Sequence, residues 1–190
     1  MSSPAFYFDI SSPYAYLAAE RIGTVLPDAD WRPILIGGLF KLNGRTSWVF
    51  SDERESRMAE IEQRAERYGL PPITWPTGLP ENQLALARAA TVAKRHGQAA
   101  PFALEAFRAT YVRGVDPSSE QGLREAAAAV GLDGDALIVA IAQQEIKDEL
   151  RRTTEHAHKQ GVPGVPTVVV DGAVFWGDDR LEEAAAAHER

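Results

Sequence analysis

The sequence confines its strand-like segments to its two ends, and that distribution restricts the fold more than any other feature. Near the start, Phe6-Tyr7-Phe8-Asp9-Ile10 has the aromatic and branched composition of a buried strand. Ser11-Ser12-Pro13 follows as helix-start punctuation, an oxygen to cap free amides and then a proline that tolerates the first turn. Tyr16, Leu17 and Ile22 mark the apolar side of the helix, and Trp31-Arg32-Pro33-Ile34-Leu35-Ile36 predicts a second strand ending at Gly37-Gly38. Such a βαβ unit has parallel strands and a right-handed crossover. At the other end, Thr167-Val168-Val169-Val170 and Ala173-Val174-Phe175-Trp176 flank Asp171-Gly172, the favoured two-residue hairpin turn. A short helix is expected from Arg180 to His188.

Between the ends the text is helical. A loop with one helical turn is expected over 39–49, a long helix over 52–68, and a proline-rich connector over 73–80. Five helices then follow near 82–96, 100–113, 118–130, 133–143 and 145–160 in text where alanine is abundant, with breaks at Gly97, Gly114 to Pro117 and Gly131 to Asp135. Neither terminal half can cover a sheet alone. The predicted architecture is therefore α/β: βαβ…ββα on one four-stranded mixed sheet, formed by residues 1–38 and 161–190, with 39–160 as a helical insertion domain.

Composition closes several routes to function. With 20 basic against 27 acidic residues the formal charge is −7, which disfavours nucleic acid and anionic membrane as partners. No apolar run reaches the length of a membrane span and no secretory leader is legible, so a cytoplasmic protein is expected. The chain has no cysteine, which excludes chemistry by its own thiolates and cysteine metal sites. Among the histidines, His156 and His158 stand two apart and diverge on a helix, so no metal site is expected.

Two local features carry chemistry. The strand–Ser-Ser-Pro–helix turn presents Ser12 beside unpaired N–H groups at a helix N-terminus, a position that attracts a thiolate, phosphate or carboxylate. Capping alone also accounts for Ser11 and Ser12. Val165-Pro166-Thr167 places a proline at the start of a buried strand, a candidate cis bond that leaves Val165 free to pair with an extended peptide.

Taken together, Phe8-Asp9-Ile10-Ser11-Ser12-Pro13-Tyr14, the Gly-Gly-x-x-Lys ending at Lys41, Gly164-Val165-Pro166-Thr167 and Phe175-Trp176-Gly177-Asp178-Asp179-Arg180-Leu181 resemble a known family. It is the DsbA-like branch of the thioredoxin superfamily, and within it the 2-hydroxychromene-2-carboxylate isomerases and kappa-class glutathione transferases. Where that branch carries Cys-x-x-Cys, this chain reads Ser12-Pro13-Tyr14-Ala15, so dithiol–disulfide exchange is excluded. The resemblance implies glutathione as cofactor, with Ser12 hydrogen-bonding its sulfur. It also implies that the Val165–Pro166 backbone pairs with the cysteinyl unit, and that Asp178 and Asp179 hold the γ-glutamyl end.

A small aromatic or electrophilic substrate is implied as well. Tyr14, Phe40, Trp48, Trp75 and Trp176 are candidate walls for a flat ligand, and Lys41 or Arg45 are candidate partners for a carboxylate. Arg45 falls where kappa-class enzymes have a glutathione-contacting asparagine, and Asn82 is the carry-over from an Asn-Tyr-Asn stretch of naphthalene-pathway isomerases. Pro163 stands where a large apolar residue is common. The leading expectation is a glutathione-dependent isomerase. The alternatives are a kappa-like transferase that forms thioether conjugates, and a non-catalytic peptide- or protein-binding module derived from a disulfide oxidoreductase. Relatives of this type are commonly dimers, which by analogy points to a homodimer.

Overall fold

A computed structural model describes residues 3–78 and 80–189. Strand β1 (Ala5–Phe8) leads into helix α1 (Pro13–Val25) and strand β2 (Asp30–Pro33). Helix α2 (Ile36–Asn43), a 3₁₀ turn at Trp48–Phe50 and helix α3 (Arg54–Arg67) follow. Then come α4 (Gln83–Arg95), α5 (Ala99–Tyr111), α6 (Glu120–Ala129), α7 (Gly134–Ile141) and α8 (Gln144–Lys159). Strands β3 (Thr167–Val170) and β4 (Ala173–Trp176), a 3₁₀ turn at Asp178–Arg180 and α9 (Leu181–His188) close the chain.

The sheet order is β2-β1-β3-β4, with β1 parallel to β2 and antiparallel to β3. Both ends of the chain therefore supply one mixed sheet, as expected of a thioredoxin-like fold. The β3–β4 turn places Asp171 and Gly172 at φ 45° and 87°. A two-residue turn of that hand needs positive φ at both positions, which Asp-Gly tolerates.

A continuous aromatic series ties the sheet to the helical segment. Phe6 and Phe8 pack edge-on against Trp31, Phe8 meets Phe107 of α5, and Tyr16 of α1 stacks on Tyr111 at 5.5 Å. Helices α4, α5 and α8 pack beside β2, and α9 packs on β3 and β4. The helical residues and the sheet thus share one buried core.

One expected element is different. The apolar run Ile34-Leu35-Ile36 does not continue the second strand, and Gly37-Gly38 do not end it; both glycines lie in the first turn of α2. The Ile34 N–H still reaches Phe8 O at 2.9 Å. The next two amides are then captured from outside the sheet: Leu35 N–H donates to Thr154 Oγ1 at 3.2 Å and Ile36 N–H to Asp9 Oδ2 at 2.8 Å. Those acceptors satisfy amides that a helix start leaves without partners. Tertiary hydrogen bonds decide the element here, not local propensity.

Candidate functional site

The β1–α1 turn is built on a buried carboxylate. Asp9 Oδ1 accepts from Ser11 N–H at 2.9 Å and from Ser11 Oγ at 2.7 Å, while its other oxygen holds the start of α2. Burial pushes the Asp9 carboxyl above its ordinary range, and its three donors work against that shift. The Ser11 hydroxyl is thereby committed to Asp9. Tyr111 Oη donates to the Ser11 carbonyl at 2.7 Å from the opposite side, so α5 also braces the turn.

Ser12 is differently placed. It is the N-cap of α1, and its Oγ accepts from Ala15 N–H at 3.3 Å. Among the described residues its own hydroxyl hydrogen has no acceptor and the Tyr14 N–H has no partner. A hydroxyl donor and an amide donor at the positive end of a 13-residue helix suit an anion. The bracing has a measurable consequence. Tyr111→Phe leaves a buried carbonyl unsatisfied at a cost of about 1–3 kcal/mol, and thermal melts should show a fall of roughly 2–12 °C.

Facing this turn is the loop before β3. The Val165–Pro166 bond is cis, as expected from the sequence. Thr167 Oγ1 donates to Gly164 O at 2.7 Å, and Gly177 N–H donates to Pro166 O at 3.0 Å. The carbonyls on either side of Val165 are thus occupied, while its own N–H and C=O have no partner among the described residues. Gly164 allows Trp176 to lie flat on the loop: a Cβ there would stand 3.1 Å from Trp176 Nε1. The Arg45 guanidinium covers the same indole 4.8 Å from its ring centre and donates to Pro163 O at 3.2 Å.

Beyond Trp176, Gly177 (φ 124°) turns the chain so that the Asp179 carboxylate folds over it, where a Cβ would collide with Asp179 Oδ1. Asp178 is buried. Its carboxylate accepts from Arg64 Nη1 at 2.9 Å and from Tyr68 Oη at 2.8 Å, and its carbonyl accepts from Arg21 at 2.8 Å. Burial pushes the Asp178 carboxyl up, with Tyr68 and Arg64 opposing the shift. Burial and the hydrogen bond to Asp178 push the Tyr68 phenol up to about 12, so it remains a donor. The Asp178 side chain is therefore occupied inside the protein. Among the described residues, what this turn leaves without partners is the Asp178 and Asp179 amides, with Asp179 mostly exposed beside them.

These segments line one open cleft of about 620 Å³, a volume suited to a small molecule with a cofactor. Ser12, Tyr14, Phe40, Arg45, Trp48, Val165, Pro166, Trp176, Asp178 and Asp179 all border it. Lys41, Trp75 and Asn82 do not. Phe40, Gly37 and Ile36 present the cleft side of α2, and Lys41 lies one helical step around from it, exposed. Trp75 borders a smaller neighbouring hollow and donates to Glu62 at 2.6 Å. Asn82 caps α4 by accepting from Ala85 N–H at 3.0 Å.

The remaining wall is not legible in the sequence alone. Glu53, Arg57, Glu60, Arg64 and Tyr68 recur at helical spacing along α3 and its ends. The first four face the cleft as alternating charges. Arg57 Nε pairs with Glu53 at 2.9 Å and Arg64 Nη2 with Glu60 at 2.5 Å. Among the described residues no group of side chains could hold a metal ion, and no helix is long and apolar enough to cross a membrane.

The DsbA-like thioredoxin domain family matches residues 5–188. Over 93% of each chain, the sequence is 32% identical to 2-hydroxychromene-2-carboxylate isomerase of Sphingobium xenophagum. It is 26% identical to glutathione S-transferase kappa 1 of Homo sapiens, over 93% of this chain and 86% of that one. A solved 2-hydroxychromene-2-carboxylate isomerase superimposes with a TM-score of 0.88 at 23% identity, covering 98% of this chain and 94% of that one.

Proposed function

Because the chain belongs to the DsbA-like thioredoxin family, in the branch of the 2-hydroxychromene-2-carboxylate isomerases and kappa-class glutathione transferases, we propose that it is a glutathione-dependent isomerase. One observation carries the reading. In a protein without cysteine, a single cleft gathers the unused Ser12 hydroxyl, the unpaired Val165 backbone and the unpaired amides of Asp178 and Asp179. That donor set fits an extended tripeptide thiol. Ser12 would face the sulfur, Val165 would pair with the cysteinyl backbone, and the Asp178–Asp179 turn would hold the γ-glutamyl end. Its carboxylate would meet the amides and its ammonium the Asp179 carboxylate. Arg45, lying on the face of Trp176 at the edge of the cleft, suits the remaining carboxylate.

When bound, glutathione supplies a thiolate that adds reversibly to an electrophilic carbon and leaves unchanged. The protein's part is to keep that sulfur ionised and to present a flat substrate to it. The helix terminus contributes about 0.3–1 kcal/mol to an anion, and up to about 2 kcal/mol when partly buried. A hydrogen bond to a charged group contributes about 1.5–3 kcal/mol. At about 1.4 kcal/mol per unit, a thiol of pKa about 8.5 falls by roughly one to three units. Phe40, Trp48 and Tyr14 form an aromatic margin for an enone or aromatic substrate beside Ser12.

Titration of the protein with glutathione at neutral pH should produce ultraviolet thiolate absorbance that saturates, and S-methylglutathione should compete without producing it. Absence of a saturable thiolate signal at millimolar glutathione would overturn the reading. Turnover of a cis-enone only when glutathione is present, with the thiol recovered, identifies the isomerase; a stable thioether product identifies the transferase instead.

A further inference from the structure

The proposed function accounts for Ser12 but leaves the polar wall opposite without a task, although that wall borders the same cleft. Tyr14 follows Ser12 by two residues on the first turn of α1. Its hydroxyl donates to Glu60 Oε2 at 3.1 Å, and the other Glu60 oxygen is taken by Arg64 at 2.5 Å. The ring is fixed edge-on against Trp48 at 6.1 Å, with the Arg64 guanidinium 5.7 Å from its centre. The Arg57 guanidinium, anchored on Glu53, lies against the Tyr14 hydroxyl. A phenol and a guanidinium thus border the cleft together with the serine turn, the phenol held by Glu60 of α3 and the guanidinium by Glu53 at the N-cap of α3.

We propose that the Tyr14 hydroxyl and the Arg57 guanidinium form an oxyanion site in the cleft, which binds the carbonyl oxygen of an enone or aryl carbonyl substrate and stabilises its negative charge. This rests on the isomerase reading only for the identity of the reaction. In that reaction, as a carbon–sulfur bond forms at the carbon β to the carbonyl, the alkene pair shifts toward the carbonyl carbon and the carbonyl pair moves onto oxygen. The former double bond then rotates. The pairs return, the carbon–sulfur bond breaks, and no proton is gained or lost overall. The group at the oxygen must therefore donate a hydrogen bond without giving up its proton.

Tyr14 suits that requirement. Burial, together with Glu60, raises its phenol above the ordinary value despite Arg57, so it stays protonated at neutral pH. Rotation about the C–O bond carries the hydrogen from Glu60 to a ligand oxygen without moving the ring. Donors placed where charge develops, in a site partly closed to water, are the arrangement that favours a transition state over the bound ground state.

The test uses 4-nitrophenol as an oxyanion probe with the glutathione-free protein, followed by cis-benzylideneacetone turnover with glutathione. The native protein should lower the pKa of bound 4-nitrophenol, read from phenolate absorbance. Tyr14→Phe and Arg57→Gln should each return it toward the free value. In turnover, Tyr14→Phe should reduce kcat by roughly ten- to thirtyfold, since Arg57 still donates. Its KM for glutathione and its bound thiolate absorbance should be unchanged. Nitrophenol titrating identically in native and Tyr14→Phe proteins, or failing to bind either, overturns the proposal. So does a fall in kcat matched by loss of thiolate absorbance. If the native protein shows the nitrophenolate shift but no glutathione thiolate, the isomerase reading fails and the oxyanion site stands.

Discussion

Replacing Ser12 with alanine is expected to raise the pKa of bound glutathione by about one to two units and to lower glutathione-dependent isomerisation roughly 10- to 150-fold at neutral pH. Both figures follow from one lost hydrogen bond to a charged acceptor, about 1.5–3 kcal/mol, converted at about 1.36 kcal/mol per pKa unit or per tenfold in rate. The helix terminus and the free Tyr14 amide remain, so the thiol should not return fully to its solution value. Ser12 is also the N-cap of α1, which would confuse the comparison if alanine alone were used. Loss of a cap oxygen to alanine costs about 0.5–2 kcal/mol, whereas glycine at the same position costs only a few tenths. Ser12→Gly should therefore melt close to the native protein yet share the alanine variant's thiolate and rate defects. The measurements are ultraviolet thiolate titration from pH 5 to 9, initial rates with a cis-enone, and thermal melts of all three proteins. Unchanged thiolate pKa in the glycine variant would remove Ser12 from the chemistry and leave it a cap.

How far the sequence discloses this protein depends on whether partners are near or far along the chain. The Thr167–Trp176 hairpin is legible because Asp171-Gly172 states its own turn. The helices between 82 and 143 are legible because Gly97, Gly114 and Gly131 interrupt the helical text, whereas no glycine stands between α7 and α8. The end of the second strand is not legible, because Ile34-Leu35-Ile36 fits a strand equally well until Thr154 and Asp9, 119 and 27 residues away, claim the amides at 35 and 36 respectively. The cleft divides in the same way. Its two ends lie in compact motifs around Ser12 and Val165-Pro166. Its third wall lies on α3, where Glu53, Arg57, Glu60 and Arg64 read as the solvated i,i+4 pairs of an exposed helix. Only the fold brings Asp178 to Arg64 and Tyr68. A spacing of three or four residues beside the apolar row Met58, Ile61 and Ala65 was the available hint, and exposed helices show the same spacing with no site at all.

Truncating Arg64 should be the most damaging single change to stability at this site. Asp178 is buried with two partners; Arg64→Met removes the charged one and leaves a carboxylate facing Tyr68 alone. Breaking a buried pair in this way costs about 3–5 kcal/mol, and the partial exposure of Arg64 places the expectation near about 3 kcal/mol. For a chain of this size that is a fall in melting temperature of roughly 6–12 °C. The pH dependence has a definite sign. Burial already holds the Asp178 carboxyl above its unfolded value, and loss of Arg64 raises it further, so the folded variant binds a proton more readily than the unfolded chain. That preference favours the fold below the unfolded carboxylate range and is lost as pH rises through the folded value. The deficit relative to the native protein should therefore be small near pH 4 and complete at pH 7.5, as urea denaturation at both pH values would show. Arg64→Met combined with Asp178→Asn removes the stranded charge while keeping an acceptor for Tyr68, and should recover at least half of the loss at pH 7.5. A double variant no more stable than Arg64→Met would show that packing of the guanidinium against Tyr14, not the charge on Asp178, is what Arg64 supplies.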